Sequence, residues 1–283
     1  MSVWYNLLSL LPFEWSEHQF MKQALLAVIL IAPLFGLIGT MVVNNKMAFF
    51  SDSLGHSALT GIALGVIVGL RDPLLSMLAF GLLMALALSF LKRTSNVSTD
   101  TLIAVLSSTA MALGIVILSR GGGFAKYSSY LIGDILSITT EGIVALALVF
   151  GLVLVYWYFM FNNLLLVSIN PTMARSRGVS VTLTESLFMI LVAVLVTISI
   201  QWVGILIINA LLILPAATAR NLARNMRSYH LMSVTVSLVA GIAGLLISYY
   251  WETAAGATIV LCNTVLFLIS WLISLSNFSF LNS

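Results

Sequence analysis

The chain has 283 residues, of which 61% are hydrophobic and only 7% charged. Soluble domains carry about 25% charged residues, so this composition, with a mean hydropathy of +1.13, excludes a water-facing globular fold. A net charge of +3, with no basic cluster beyond three arginines in one short loop, argues against nucleic acid as a partner.

Residues 1–21 carry Trp4, Leu7, Leu8, Leu11, Phe13 and Trp15, interrupted by Glu14 and Glu17. They read as an interfacial segment on the extracytoplasmic face, and no removable signal peptide is expected. Spans of about 20 apolar residues, enough to cross the hydrocarbon core, then recur at 23–43, 48–70, 73–91, 102–119, 142–161, 185–201, 203–219, 231–250 and 256–275. The sixth and seventh share one apolar stretch broken only by Gln201-Trp202-Val203-Gly204. The expected fold is therefore all-α and polytopic, with eight or nine transmembrane helices in a single domain over 22–283. With the N-terminus outside, eight Lys and Arg fall in inner loops (Lys46, Lys92, Arg93, Arg175, Arg177, Arg220, Arg224, Arg227). Only Arg71, Arg120, Lys126 and the boundary residue Lys22 fall outside, so this orientation satisfies the positive-inside rule. Two longer connections are expected, an outer one over 120–141 and an inner one over 162–184.

The second span carries the most informative chemistry. Asp52 and His56 are four residues apart and share one helical face. Ionisable side chains inside a span are costly and line an interior or a pathway. A carboxylate beside an imidazole suits a divalent transition metal; a hydrogen-bonded pair that fixes helix packing and a proton relay are the other readings. Gly61, Gly65 and Gly69 form a stripe roughly opposite, suited to close approach of another helix. Two ligands do not close a metal site. His18 lies outside and His230 at the inner boundary, so a two-fold homodimer supplying two copies of each ligand is the expectation.

Elsewhere the signals are weaker. Within the inner connection, Asn170 suits an N-cap, Pro171 the first helical position and Gly178 a C-terminal stop; a short helix and a solvated turn are both open. Asn209 suits an interhelical hydrogen bond, and Pro215 a kink or an end of its span. Ser107 and Ser108 read as bonded back to their helix, Asp134 and Glu141 as solvated loop acids. Cys262, the only cysteine, reads as packing. The chain has no phosphate-binding GxxxxGK[ST] loop, so it is not expected to be an enzyme that hydrolyses ATP.

Four stretches together resemble the membrane permease subunit of the zinc/manganese ABC importers. They are Phe50-Ser-Asp-Ser-Leu-Gly-His-Ser-Ala-Leu-Thr-Gly61, Leu131-Ile-Gly-Asp-Ile-Leu-Ser-Ile-Thr-Thr-Glu141, Asn170-Pro-Thr-Met-Ala-Arg-Ser-Arg-Gly178 and Val203-Gly-Ile-Leu-Ile-Ile-Asn-Ala-Leu-Leu-Ile-Leu-Pro-Ala-Ala-Thr-Ala-Arg220. The chain departs from the commonest pattern at Thr60, where Pro often precedes the glycine, and at Asn170, where Asp is common. The resemblance implies a permease dimer in the bacterial cytoplasmic membrane, paired with cytosolic ATP-binding subunits and fed by an extracytoplasmic metal-binding protein. It implies import of a divalent metal, zinc favoured and manganese or iron the alternatives, with no permanently bound cofactor and ATP held by the partner. It places the metal at Asp52 and His56 and a coupling helix at Asn170, Pro171, Ala174, Arg175 and Gly178. An ATP-independent secondary transporter using Asp52 and His56 as a proton relay is the rival expectation.

Overall fold

A computed structural model describes residues 4, 12–70, 72–120 and 133–281. The structure of most of the N-terminal segment and of the Gly121-Gly122-Gly123 loop lies outside the described residues. The rest is helical: α1 (Gln19–Asn44), α2 (Ala48–Val68), α3 (Leu74–Thr94), α4 (Thr99–Arg120), α5 (Thr140–Ile169), the short α6 (Pro171–Ser176), α7 (Val181–Val203), α8 (Ile205–Leu222), α9 (Met226–Trp251) and α10 (Ala255–Leu281). Seven of these, namely α1, α3, α4, α5, α7, α9 and α10, are long and apolar enough to cross a bilayer. The other two long helices are α2, whose Asp52, His56 and serines lower its hydropathy, and α8, which is shorter.

The break between α7 and α8 falls at Gly204, with φ 89° and ψ 149°, a region open almost only to glycine. Its amide still donates to the Ile200 carbonyl at 2.8 Å, so α7 is capped while the chain turns. The inner connection is shorter than the sequence suggests. Polar Asn162 and Asn163 end the apolar run, yet α5 continues to Ile169, because Leu164 and Val167 beyond them are buried. Pro215 does not end its span either: α8 runs on to Leu222, a continuation tolerated in apolar helices where surrounding groups re-satisfy the freed carbonyl.

The helices cluster into two compact units, each discontinuous in sequence. One comprises 1–40, 133–150 and 210–283. There α1 meets α9 where Gly36 abuts the Ser233 backbone, and Ser233 Oγ donates to the Gly36 carbonyl at 2.6 Å. Gly39 admits the Leu212 carbonyl of α8, and Gly244 of α9 lies against Ile259 of α10. Thr40 Oγ1 and His230 Nδ1 share a hydrogen bond of 2.7 Å.

The other unit comprises 41–132 and 151–209, and α2 is enclosed within it. A methyl built on Gly61 would lie 2.7 Å from the Met77 Cα of α3, and one on Gly114 of α4 would lie 2.8 Å from the Thr60 amide. Gly65 faces the Ser76 side chain. Lipid tails are as apolar as Leu, so contacts this close, together with interhelical hydrogen bonds, are what hold membrane helices to one another. Gly69 corrects the expected stripe. Nothing lies within 4 Å of it; it is the α2 C-cap at φ 79°, a left-handed position that favours glycine.

Gly61→Ala is expected to destabilise the protein by about 1–3 kcal/mol through overpacking against α3. Gly151→Ala, in α5 with open space around it, is expected to be neutral or stabilising by up to about 1 kcal/mol. Thermal unfolding of the two variants in detergent checks the contrast.

Candidate metal centre

Asp52 and His56 occupy the second and third turns of α2. His56 Nε2 lies 3.5 Å from Asp52 Oδ2, longer than the usual 2.7–3.2 Å of a hydrogen bond. The two atoms therefore face each other without a tight bond between them. With metal bonds of about 2.1 Å to each, that separation subtends roughly 115° at the ion, close to the tetrahedral angle zinc prefers. The side chains stay partly open, 41% for Asp52 and 25% for His56. Both line a cavity of about 430 Å³ whose far wall is α4, through Asp100, Ile103, Ala104, Ser107, Ser108 and Met111. Above the cavity the two helices close on each other, where Thr60 Oγ1 donates to the Ala110 carbonyl and Gly114 abuts Thr60.

The flanks of α2 hold this face in place. Ser51, one residue before Asp52, donates through Oγ to Asn209 Oδ1 at 2.5 Å, the interhelical bond expected of Asn209. Gly55, one residue before His56, leaves room for Ile205. Anchors on one side and Gly61 and Gly65 on another leave the carboxylate and imidazole facing α4. Among the described residues, no group of three or more His, Cys, Asp or Glu side chains converges on one point, so Asp52 and His56 stand there as a pair. His18 stacks with Phe20 and His230 bonds Thr40. Asp134 caps the turn Ile135–Ser137 by accepting from the Leu136 amide at 3.0 Å, and Glu141 is exposed in the first turn of α5.

Sequence reasoning missed Asp100 and took Ser107 and Ser108 for bonded-back residues. Asp100, Ala104, Ser107, Ser108 and Met111 recur at the i, i+4, i+7, i+8, i+11 spacing of one helical face, a signal present in the sequence. Only the cavity identifies which face of α4 it is.

A second feature stands apart from the cavity. Asn170 caps α6 by accepting from the Thr172 and Met173 amides, both at 3.0 Å, and Pro171 begins the helix. Ala174 is fully buried against Val167 of α5 and Val181 of α7, while Met173, Arg175, Arg177 and Gly178 are exposed. Beside it, the last turn of α3 is tied to α7. Lys92 Nζ lies 3.1 Å from Glu185 Oε2, and Arg93 Nη2 donates to Ser186 Oγ at 3.0 Å.

Residues 17–274 match the model of the ABC 3 transport family. The chain belongs to that family. It is 33% identical to the high-affinity zinc uptake system membrane protein ZnuB of Haemophilus influenzae, over 87% of this chain and 95% of the relative. It is 32% identical to the manganese import system permease protein ScaB of Streptococcus gordonii, over 91% and 92%. Among solved structures it is similar to PsaBC from Streptococcus pneumoniae in complex with Fab, with a TM-score of 0.79, 31% identity and coverage of 96% and 95%.

If Asp52 and His56 are direct ligands, Asp52→Ala and His56→Ala should each weaken equilibrium zinc binding by on the order of 100-fold or more, since loss of an outer-shell partner alone costs 10–100-fold. Titration of the purified protein with zinc reads this directly.

Proposed function

We propose that this chain is the permease subunit of an ATP-driven importer of a divalent transition metal, with residues 22–283 acting as one permease domain. The observation that carries the reading is the Asp52/His56 pair, held face to face on an enclosed helix beside a cavity. The relatives named for zinc uptake and manganese import support it. Zinc is the favoured cargo, because imidazole with carboxylate suits zinc while manganese prefers oxygen alone.

Two ligands per chain hold an ion weakly, and a second copy related by a two-fold axis would bring the count to four. The sequence carries no phosphate-binding loop, so ATP would be hydrolysed by a cytosolic partner, with a binding protein delivering metal outside. The eight inner Lys and Arg favour an extracytoplasmic N-terminus. In this reading α6 is the coupling helix. Its buried Ala174 seats it on α5 and α7, its exposed Met173 and Arg175 face the partner, and the Lys92–Glu185 and Arg93–Ser186 contacts tie α7 to α3. Through Met77 and Gly61, α3 lies directly against α2, so a push on α6 reaches the metal-binding helix through packed contacts.

Uptake into vesicles holding the complete importer tests the function. Zinc should outcompete manganese and iron, uptake should require ATP, and His56→Ala should abolish it while the protein still reaches the membrane. Wild-type uptake by His56→Ala would remove the metal site from the pair, uptake that ignores ATP and collapses with the proton gradient would make the chain a secondary transporter, and metal-dependent ATP hydrolysis without uptake would make it a scaffold. For coupling, Asn170→Ala removes both cap bonds, a loss of about 1 kcal/mol. It should lower metal-stimulated ATP hydrolysis while zinc binding stays unchanged.

A further inference from the structure

We propose that Asp100 is a transfer carboxylate that receives the cation between the Asp52/His56 pair and the aqueous face at the N-terminal end of α2. The inference rests on the reading of that pair as the metal site.

Along α2, Asp52 and His56 share the cavity with Asp100 to Ser108 of α4, and Thr60 farther on meets Ala110 and Gly114, so α2 and α4 run in the same direction and begin at the same end. At about 1.5 Å per residue, Asp100 lies within the first turn, Asp52 roughly 6 Å in, and His56 with Ser107 and Ser108 roughly 12–14 Å in. The cavity therefore carries acid, acid, imidazole and hydroxyls in order of depth. Exposure falls along the same path, from exposed Asp100 to 41% at Asp52 and 25% at His56. Between α2 and α4 the route is closed farther on by the Thr60–Ala110 bond and by Gly114. An ion moving between the pair and this end passes the Asp100 carboxylate.

Asp100 lies in the first turn of α4, where its charge complements the helix N-terminus, but among the described residues no side-chain bond fixes it. Ser98, not Asp100, caps α4, accepting from the Thr101 amide at 3.3 Å. At this end Lys92 and Arg93 are engaged by Glu185 and Ser186, while Lys46, exposed just before α2, forms no ion pair with Asp100. Among the described residues no cation pairs with Asp100. Nor does it join Asp52 and His56 as a third ligand, since no such cluster forms. A carboxylate on the path but outside the coordination sphere gives the ion a relay point that speeds arrival and departure alike, so it acts on the rate of transfer more than on the occupancy of the pair.

The test uses the complete importer, with zinc and separately manganese as probes. It compares initial uptake rates in vesicles with equilibrium metal binding by the solubilised complex, for wild type, Asp100→Asn, Asp100→Glu and His56→Ala. Asp100→Asn should lower the maximal uptake rate about tenfold and leave equilibrium binding unchanged, and Asp100→Glu should restore most of the rate. A wild-type rate in Asp100→Asn overturns the proposal. So does loss of binding in that variant, which would make Asp100 a ligand. A slow Asp100→Glu accompanied by a lowered unfolding temperature would make it a structural residue of the α4 first turn, which equally overturns it. His56→Ala separates the two readings. If it is inactive while Asp100→Asn is normal, only the transfer role fails; if it binds and transports like wild type, the metal site itself fails.

Discussion

An acid and an imidazole are carried on an otherwise apolar helix, and the unit around them is built to enclose it. A charged side chain at the centre of a spanning helix costs at least about 2.5–3.5 kcal/mol, so α2 cannot face lipid on its polar side. Asp52, His56 and the serines leave α2 outside the set of helices apolar enough to span alone. The response is enclosure: Gly61 and Gly65 bring α3 in, Gly55 admits Ile205, and Gly114 brings α4 against Thr60. Small residues serve here because packing, with interhelical hydrogen bonds, is the attraction left between helices once water is gone.

The same packing that encloses the pair also orients it. Ser51 bonds Asn209 on one side, and α3 lies against Gly61 on another. What remains open is the side toward α4, and the cavity there is lined by groups that oxygen-seeking and nitrogen-seeking cations both accept. His56 Nε2 and Asp52 Oδ2 stand 3.5 Å apart across that opening, and among the described residues no third His, Cys, Asp or Glu joins them in a cluster.

Transport also requires that a distant event move this helix. The short α6 is seated by a small buried core of Val167, Ala174 and Val181, and the last turn of α3 is pinned to α7 by an ion pair and a charged hydrogen bond. The first set joins consecutive elements, whereas the Lys92–Glu185 and Arg93–Ser186 contacts join helices about 93 residues apart in the chain. Together with the packing of α3 on Gly61 they form a contiguous set of contacts within one unit from the exposed α6 to α2, the kind of physical connection that coupling between distant sites requires.

The sequence by itself determined the helical architecture, a break of the long apolar stretch within 201–204, the suitability of Asn170 as a cap, and the placement of Asp52 and His56 on one face. Each follows from a local rule: the apolar length that spans a bilayer, the freedom of glycine, the reach of an Asn side chain to nearby amides, and 3.6 residues per turn. Tertiary structure alone decided that α5 continues past Asn162 and Asn163, because its end is buried by residues that follow it in the chain. It also decided that Gly69 is a cap rather than a packing residue, that Ser51 is the partner of Asn209, and that Asp100 shares a cavity with Asp52 and His56. Most of these facts depend on which helix faces which, as in the Ser51–Asn209 bond and the cavity that Asp100 shares with Asp52 and His56, and no periodicity within one helix specifies its neighbour.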